Sequence, residues 1–368
     1  MPISAVDSIT LAFQHTKRQL FTPFRFWQWT RLAFVGLLAG EMSGGGGNFN
    51  FPSNFNIPSQ TGSSQHFLSS GFGSINPALL GAMITVLIVA ALVLGLLLMY
   101  ISSVMRFILF DSVLLKECHI RQGWSRRQGP GWKYFLWQLG FTLATLAAMA
   151  VLLGIPAGLA YSMGWFDAPR EHVVGLVVGG IVLFVVLVAF FIAIAVIHVF
   201  TKDFVVPQMA LEGIGAIEGW RRLWAMLQAE KGGYAAYIGM KIVLAIGAAI
   251  VIGIVSLIVG LLFAVPAIAL GLIAVFTGKS AGLTWNVFTI TIAVVVGLIL
   301  FVLFMYLLAL ISVPAIVFFP AYSIYYFAPR YRALSLMLYP PPPPARPPTG
   351  GGPPEPPPPL MPLPEPIG

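Results

Sequence analysis

The chain has 368 residues, of which 58% are hydrophobic and only 9% charged, with a formal net charge of +8. Soluble proteins carry about 25% charged residues, so a soluble fold is excluded. The basic balance, with a pI near 9.7, does not imply nucleic acid, because the lysines and arginines are sorted by position along a membrane-type pattern.

A helix of about 20 apolar residues spans the ~30 Å hydrocarbon core of a bilayer. The sequence predicts six such spans, near 27–42, 78–104, 134–160, 173–199, 238–263 and 285–312. The fold expected is therefore all-α: a polytopic bundle filling residues 1–339. The first span is the weakest, being short, with Arg31 inside it and Glu41 at its end. Polar and charged residues (Asp7, Gln14, His15, Lys17, Arg18) interrupt the N-terminal segment before a signal-peptide core can form. Pro156 falls in the third span. The last two apolar runs continue to Phe276 and Phe327, through Pro266, Pro314 and Pro320. Proline bends or ends a helix, so each continuation reads as an apolar piece that lies in the interface or folds back. Extra spans in 238–276 and 285–327 are the alternative.

Orientation follows from the loops. Lys17, Arg18 and Arg25 precede the first span. Arg106, Lys116, Arg121, Arg126, Arg127 and Lys133 fill the second loop. Lys202, Arg221, Arg222 and Lys231 fill the fourth, and Arg330, Arg332 and Arg346 follow the last span. The alternate loops hold only Arg170 and Lys279. With six spans every basic segment shares one side, which the positive-inside rule makes cytoplasmic. Trp27, Trp29, Trp132, Tyr134 and Trp137 at that side, and Tyr161, Trp165 and Trp285 at the other, fit interfacial belts.

Three tandem helix hairpins are a further expectation, each opening with a cytoplasmic amphipathic helix: 9–21, 119–128 and 214–228. In the third, Ile214, Ile217, Trp220, Leu223, Trp224 and Leu227 share one face, opposite Glu218, Arg221 and Arg222. These basic, Trp-bearing helices make Trp124, Arg126, Arg127, Trp220, Arg221, Arg222 and Trp224 candidate interface or lipid contacts. Gly154 with Gly158, and Gly175 with Gly179, form small-xxx-small pairs expected to pack spans 3 and 4 together. The outer loop, 43–76, is rich in Gly, Ser, Asn and Phe and carries no Lys, Arg, Asp or Glu. Residues 340–368 are proline-dominated and expected to be a disordered cytoplasmic tail. Within it Pro341–Arg346 fits a P-x-x-P-x-R ligand pattern for a protein partner.

No catalytic constellation stands out. The interior of the spans offers no nucleophile with a base in reach. Asp111 and Asp203 follow spans 2 and 4 at comparable positions. Intramembrane hydrolysis would want both inside their helices, so pairing with Arg106 or Lys202 is the expectation. Glu117-Cys118-His119 sets three metal-binding residue types side by side, but consecutive helical residues point apart, so no metal and no cofactor are expected. Arg31 and His198 are the only ionisable residues near mid-span, which argues against ion-coupled transport.

The stretch Asp203-Phe204-Val205-Val206-Pro207, then Leu211-Glu212-Gly213 and Gly219-Trp220-Arg221, resembles a group of uncharacterised bacterial six-helix membrane proteins. In layout the group is similar to the membrane domain that precedes some glycerophosphodiester phosphodiesterases. No phosphodiesterase domain is present here, so the resemblance implies a multi-pass bacterial inner-membrane protein and no enzymatic activity. Function then reads as a non-enzymatic scaffold, binding or envelope-homeostasis component whose partners are membrane lipids. The alternative is a carrier for a lipid or small neutral solute.

Overall fold

The computed structural model describes residues 4–41, 77–165, 168, 170–280 and 287–340. Among these the secondary structure is helical. In chain order the helices are α1 (Asp7–Phe21), α2 (Phe26–Leu38), α3 (Pro77–Leu114), α4 (Ile120–Ser162) and α5 (Val173–Phe200). A π-helical turn, Thr201–Val205, joins α5 directly to α6 (Val206–Glu212). Then come α7 (Ala216–Ala229), α8 (Lys231–Ser280), α9 (Val287–Phe327), a 3₁₀ turn (Ala328–Arg330) and α10 (Arg332–Leu338). The outer loop and the proline-rich tail beyond Pro340 lie outside the described residues.

Among the described residues, five helices are long and apolar enough to cross a membrane: α3, α4, α5 with its continuation, α8 and α9. The first expected span does not qualify. α2 has 13 residues, about 20 Å at 1.5 Å per residue, and Leu32, Ala33, Val35 and Gly36 are buried within the protein. That buried side packs on α3 and α9, while Phe26, Trp27 and Phe34 are exposed. The prolines also behave differently from the expectation. Pro266 lies inside the 50-residue α8, and Pro314 and Pro320 inside α9, with no fold-back. Neighbouring helices can re-satisfy the carbonyls that a proline frees. Pro130 likewise sits inside α4, so the expected amphipathic helix 119–128 is the first three turns of α4 itself.

The buried residues come from four stretches: 5–41, 103–135, 200–241 and 309–334. They form a compact base. Above it the long helices stand with mainly exposed apolar side chains, over about 81–98, 140–162, 173–195, 242–269 and 288–305. The change from buried to exposed falls near Tyr100, Gln138, Ile197, Lys241 and Tyr306, one level on five helices. This division is what a bilayer requires: lipid covers apolar arms, and buried contacts hold the part outside it. Pairing departs from three tandem hairpins. α3 packs on α4 and α8 on α9, whereas α4 and α5 are not paired along their apolar lengths. Gly154, Gly158 and Gly179 accordingly face open space, and Gly175 faces the Trp165 ring.

Helix α1 is docked through its polar side. Ser4 Oγ accepts the Asp7 N–H at 3.1 Å and donates to Asp7 Oδ2 at 2.7 Å, fixing the first turn. His15 is buried, with Nε2 2.9 Å from the Val113 carbonyl and Nδ1 3.1 Å from the Tyr325 hydroxyl. A carbonyl only accepts, so Nε2 carries the proton and Nδ1 accepts from Tyr325. Gln19 Nε2 donates to the Ser112 carbonyl at 2.8 Å. Together these two side chains tie α1 to the inner end of α3.

Burial, aided by the charge of Lys116, pushes the His15 imidazole below its ordinary 6.5. In the unfolded chain this histidine takes up a proton as pH falls through about 6.5, and in the folded chain it resists doing so. Stability from this group is therefore full above that pH and lost below it. The thermal midpoint in mild detergent is expected to fall between pH 7.5 and pH 5.5, and to fall less in His15→Gln. Identical slopes for the two proteins would remove His15 from the account.

The α3–α4 contact gives a second prediction. A Cβ on Gly131 would meet Val104 Cγ2 at 2.6 Å and the Val104 backbone at 3.2 Å. Gly131→Ala is expected to cost about 1–3 kcal/mol through overpacking. Gly154→Ala, in open space, is expected to be neutral or slightly stabilising, since alanine is the better helix former. Thermal midpoints of the two variants check this, and equal shifts would contradict the close approach.

Candidate functional site

The π turn is where the base is assembled. Pro207 has no N–H for the carbonyl of Asp203, and the wider turn just before it absorbs the register change without ending the helix. All five residues of the turn are buried. Two of them are charged neighbours, Lys202 and Asp203, and each reaches a different partner. Lys202 Nζ pairs with Glu41 at the end of α2, with side chains 7% and 2% exposed. Asp203 pairs with Lys241 Nζ of α8 and accepts the Tyr237 hydroxyl at 2.9 Å. Arg106 of α3 completes the group, donating to the Tyr134 hydroxyl and, at 3.1 Å, to the Ala39 carbonyl.

Three cations and two carboxylates are thus buried together. Burial pushes the Glu41 carboxyl up, but Lys202 and Arg106 outweigh it and hold the group below its ordinary value. A cavity of about 20 Å³ lies among Glu41, Arg106, Lys202, Asp203, Pro207, Pro320 and Ser323, room for one water. On its wall, Glu41 Oε1 and Arg106 Nε are buried without a partner among the described residues. Below the charges, Phe204 is surrounded by Phe200, Tyr234, Tyr237, Tyr326 and Phe327, with ring centroids 5.0–6.1 Å away. Such aromatic pairs add about 0.5–1.5 kcal/mol each beyond area burial.

A second shell of ion pairs closes the rim. Arg127 holds Asp111 through two bonds of 2.6 Å and donates to the Ala210 carbonyl, joining α3, α4 and α6. Arg330 makes two bonds to Glu230, of 2.8 and 2.7 Å, and lies over the Tyr326 ring. Glu212 is shared by Arg222 and the Tyr331 hydroxyl, and Gly213, in the left-handed region at φ +69°, ends α6 there.

The residues singled out in the sequence are scattered over this frame. Arg127 is buried in its ion pair, Arg222 is engaged by Glu212 and Glu218, and Trp220 donates to Thr201 Oγ1 at 3.0 Å. Trp124 is half-buried with its ring 6.1 Å from that of Tyr100. Arg126, Arg221 and Trp224 are exposed. Asp111 and Asp203 do pair with basic groups, but with Arg127 and Lys241, not with Arg106 or Lys202. Cys118 is buried, which pushes its thiol up, and Glu117 and His119 beside it are exposed. Among the described residues no three His, Cys, Asp or Glu side chains gather in a metal-binding group. Sequence reading missed the Glu41–Lys202 and Asp203–Lys241 pairs. The available signal was Lys241, a lone charge four residues inside an apolar run that starts at Ile238.

Long apolar helices over an ion-paired base define a polytopic α-helical membrane protein. The chain matches the Family of unknown function (DUF7544) over residues 3–337, and it belongs to that family. No curated protein and no solved structure matches it.

Removing one partner from a buried ion pair costs about 3–5 kcal/mol, because the other charge is left uncompensated. Lys202→Met is expected to lower the thermal midpoint by roughly 10 °C. Adding Glu41→Gln should restore at least half of the loss. A single variant as stable as the parent, or a double variant less stable than the single one, would show that the pair does not hold the base.

Proposed function

We propose that this protein is a non-enzymatic assembly component of a bacterial inner membrane, with the base on the cytoplasmic side. One contrast carries the reading. The space among the buried charges Glu41, Arg106, Lys202 and Asp203 holds about 20 Å³, whereas the apolar sides of the five long helices described are open to lipid or to other chains. A closed polar interior with accessible apolar flanks suits a part that binds neighbours better than one that passes a solute. The concentration of lysine and arginine in the base, among them Arg106, Arg127, Lys202, Arg222, Lys241 and Arg330, supports the orientation. The likeness in layout to the membrane domain accompanying some phosphodiesterases supports the same reading, since such a domain would serve as an anchor. A carrier for a lipid is the second reading, supported by α5 standing apart from both helix hairpins.

Native mass measured in mild detergent or lipid nanodiscs tests the proposal. The expected result is more than one copy, or a co-purified membrane protein, with single cysteines at positions 125 and 162 labelled only from the cytoplasmic and the outer face respectively. A monomer that moves lipid or solute across proteoliposomes would overturn it in favour of the carrier.

A further inference from the structure

The surface of the base around the start of α4 carries a basic basin. Two adjoining cavities, of about 210 and 650 Å³, share Arg31 and His119. Arg25, Trp27 and Glu117 line the first, and Arg121 and Gln122 the second. Three arginines against one carboxylate leave this wall at +2, counting the histidine as neutral. None of the three is paired with a carboxylate among the described residues, and the one side-chain bond of Arg31 goes to the Cys118 carbonyl at 3.3 Å. Arg121 sits in the first turn of the 43-residue α4, where there is no acidic residue. The N-terminus of a helix already carries partial positive charge, so a cation there is unfavourable and an anion favourable. Arg25, just before α2, and Arg31 within it are brought to the same spot and add to that imbalance. Elsewhere in this molecule arginines meet carboxylates: Arg127, Arg222 and Arg330 all do.

Two observations narrow the kind of anion. The first is depth. From Gln138, where α4 leaves the exposed apolar zone, to Ile120 is 18 residues, about 27 Å along the helix. Headgroups extend only about 5–8 Å beyond the hydrocarbon, so the basin lies outside the lipid layer and faces a soluble ligand. The second is the Trp27 ring, 75% exposed on the basin wall, a flat apolar face beside guanidinium groups. Together the two cavities are of the size that holds small ligands.

We propose that this basin binds a soluble nucleotide: Arg25, Arg31 and Arg121 with the first-turn amides of α4 take the phosphates, and Trp27 stacks on the base. The inference goes beyond the assembly role, because it gives that role a soluble signal, and it stands or falls separately from it.

Binding of ATP, GTP, CTP and UTP to the full chain in mild detergent tests it, read by calorimetry, with inorganic pyrophosphate and anionic-lipid nanodiscs as comparison probes. At least one nucleotide should bind saturably and more tightly than pyrophosphate. The Arg25→Gln/Arg121→Gln double variant should weaken it at least tenfold. Trp27→Ala should weaken nucleotide but not pyrophosphate. All three positions are exposed, so folding is expected to persist, and Arg221→Gln on α7 serves as a charge control that should change nothing. Absence of saturable binding by all four nucleotides would overturn the proposal. So would pyrophosphate binding as well as nucleotide with Trp27→Ala silent, which marks a plain anion site, or loss of these basic residues affecting only lipid binding. Because oligomeric mass is read independently, a failure here leaves the assembly reading intact, and the reverse holds too.

Discussion

Burying charge is the constraint on which this structure turns. Each ion removed from water costs several kcal/mol, and attraction repays the loss only when partners are placed well. The protein meets that demand with two adjacent residues of opposite sign, Lys202 and Asp203, on one wide helical turn. Through them the end of α2 and the start of α8 are fixed to the same point, and Arg106 ties in α3 and α4. The aromatic packing beneath and the ion pairs at the rim are organised around that point. The helices can then diverge above it without losing their relative positions.

The long helices obey a different rule. In lipid there is no hydrophobic force pressing helices together, since the tails are as apolar as leucine. Tight packing is therefore confined to the base, where water supplies the force and polar groups supply the specificity. Gly131, in the base, is pressed against Val104, whereas Gly154, on the same helix in the apolar zone, touches nothing. The same residue type thus carries a packing role at one depth and none at another.

This depth dependence explains how much could be read from sequence. The all-helical membrane class, the apolar runs and the separate amphipathic helix α7 were legible because they rest on local composition and periodicity. The failures involved partners distant in the chain. Pro266, Pro314 and Pro320 read as breaks, since nothing local shows what satisfies the freed carbonyls. The run from Trp27 to Met42 read as a span, since hydropathy does not distinguish lipid from a protein interior. Arg127 read as a surface contact and is paired with Asp111, 16 residues away. Glu41 and Lys202 pair across 161 residues, a separation that no periodicity encodes.

That separation also sets a timetable for the nascent chain. A ribosome adds about 5–20 residues per second, so the Glu41 carboxylate waits roughly 8–32 seconds for the lysine that neutralises it. Asp203 needs only the 38 residues up to Lys241. The second pair can therefore close soon after it is made, while the first cannot form until most of the long helices have been synthesised. Lys202 still precedes Lys241, so the Glu41 pair can close before the Asp203 pair, whereas His15 of α1 must wait for Tyr325 of α9. Helix α1, among the first residues made, is thus among the last to settle.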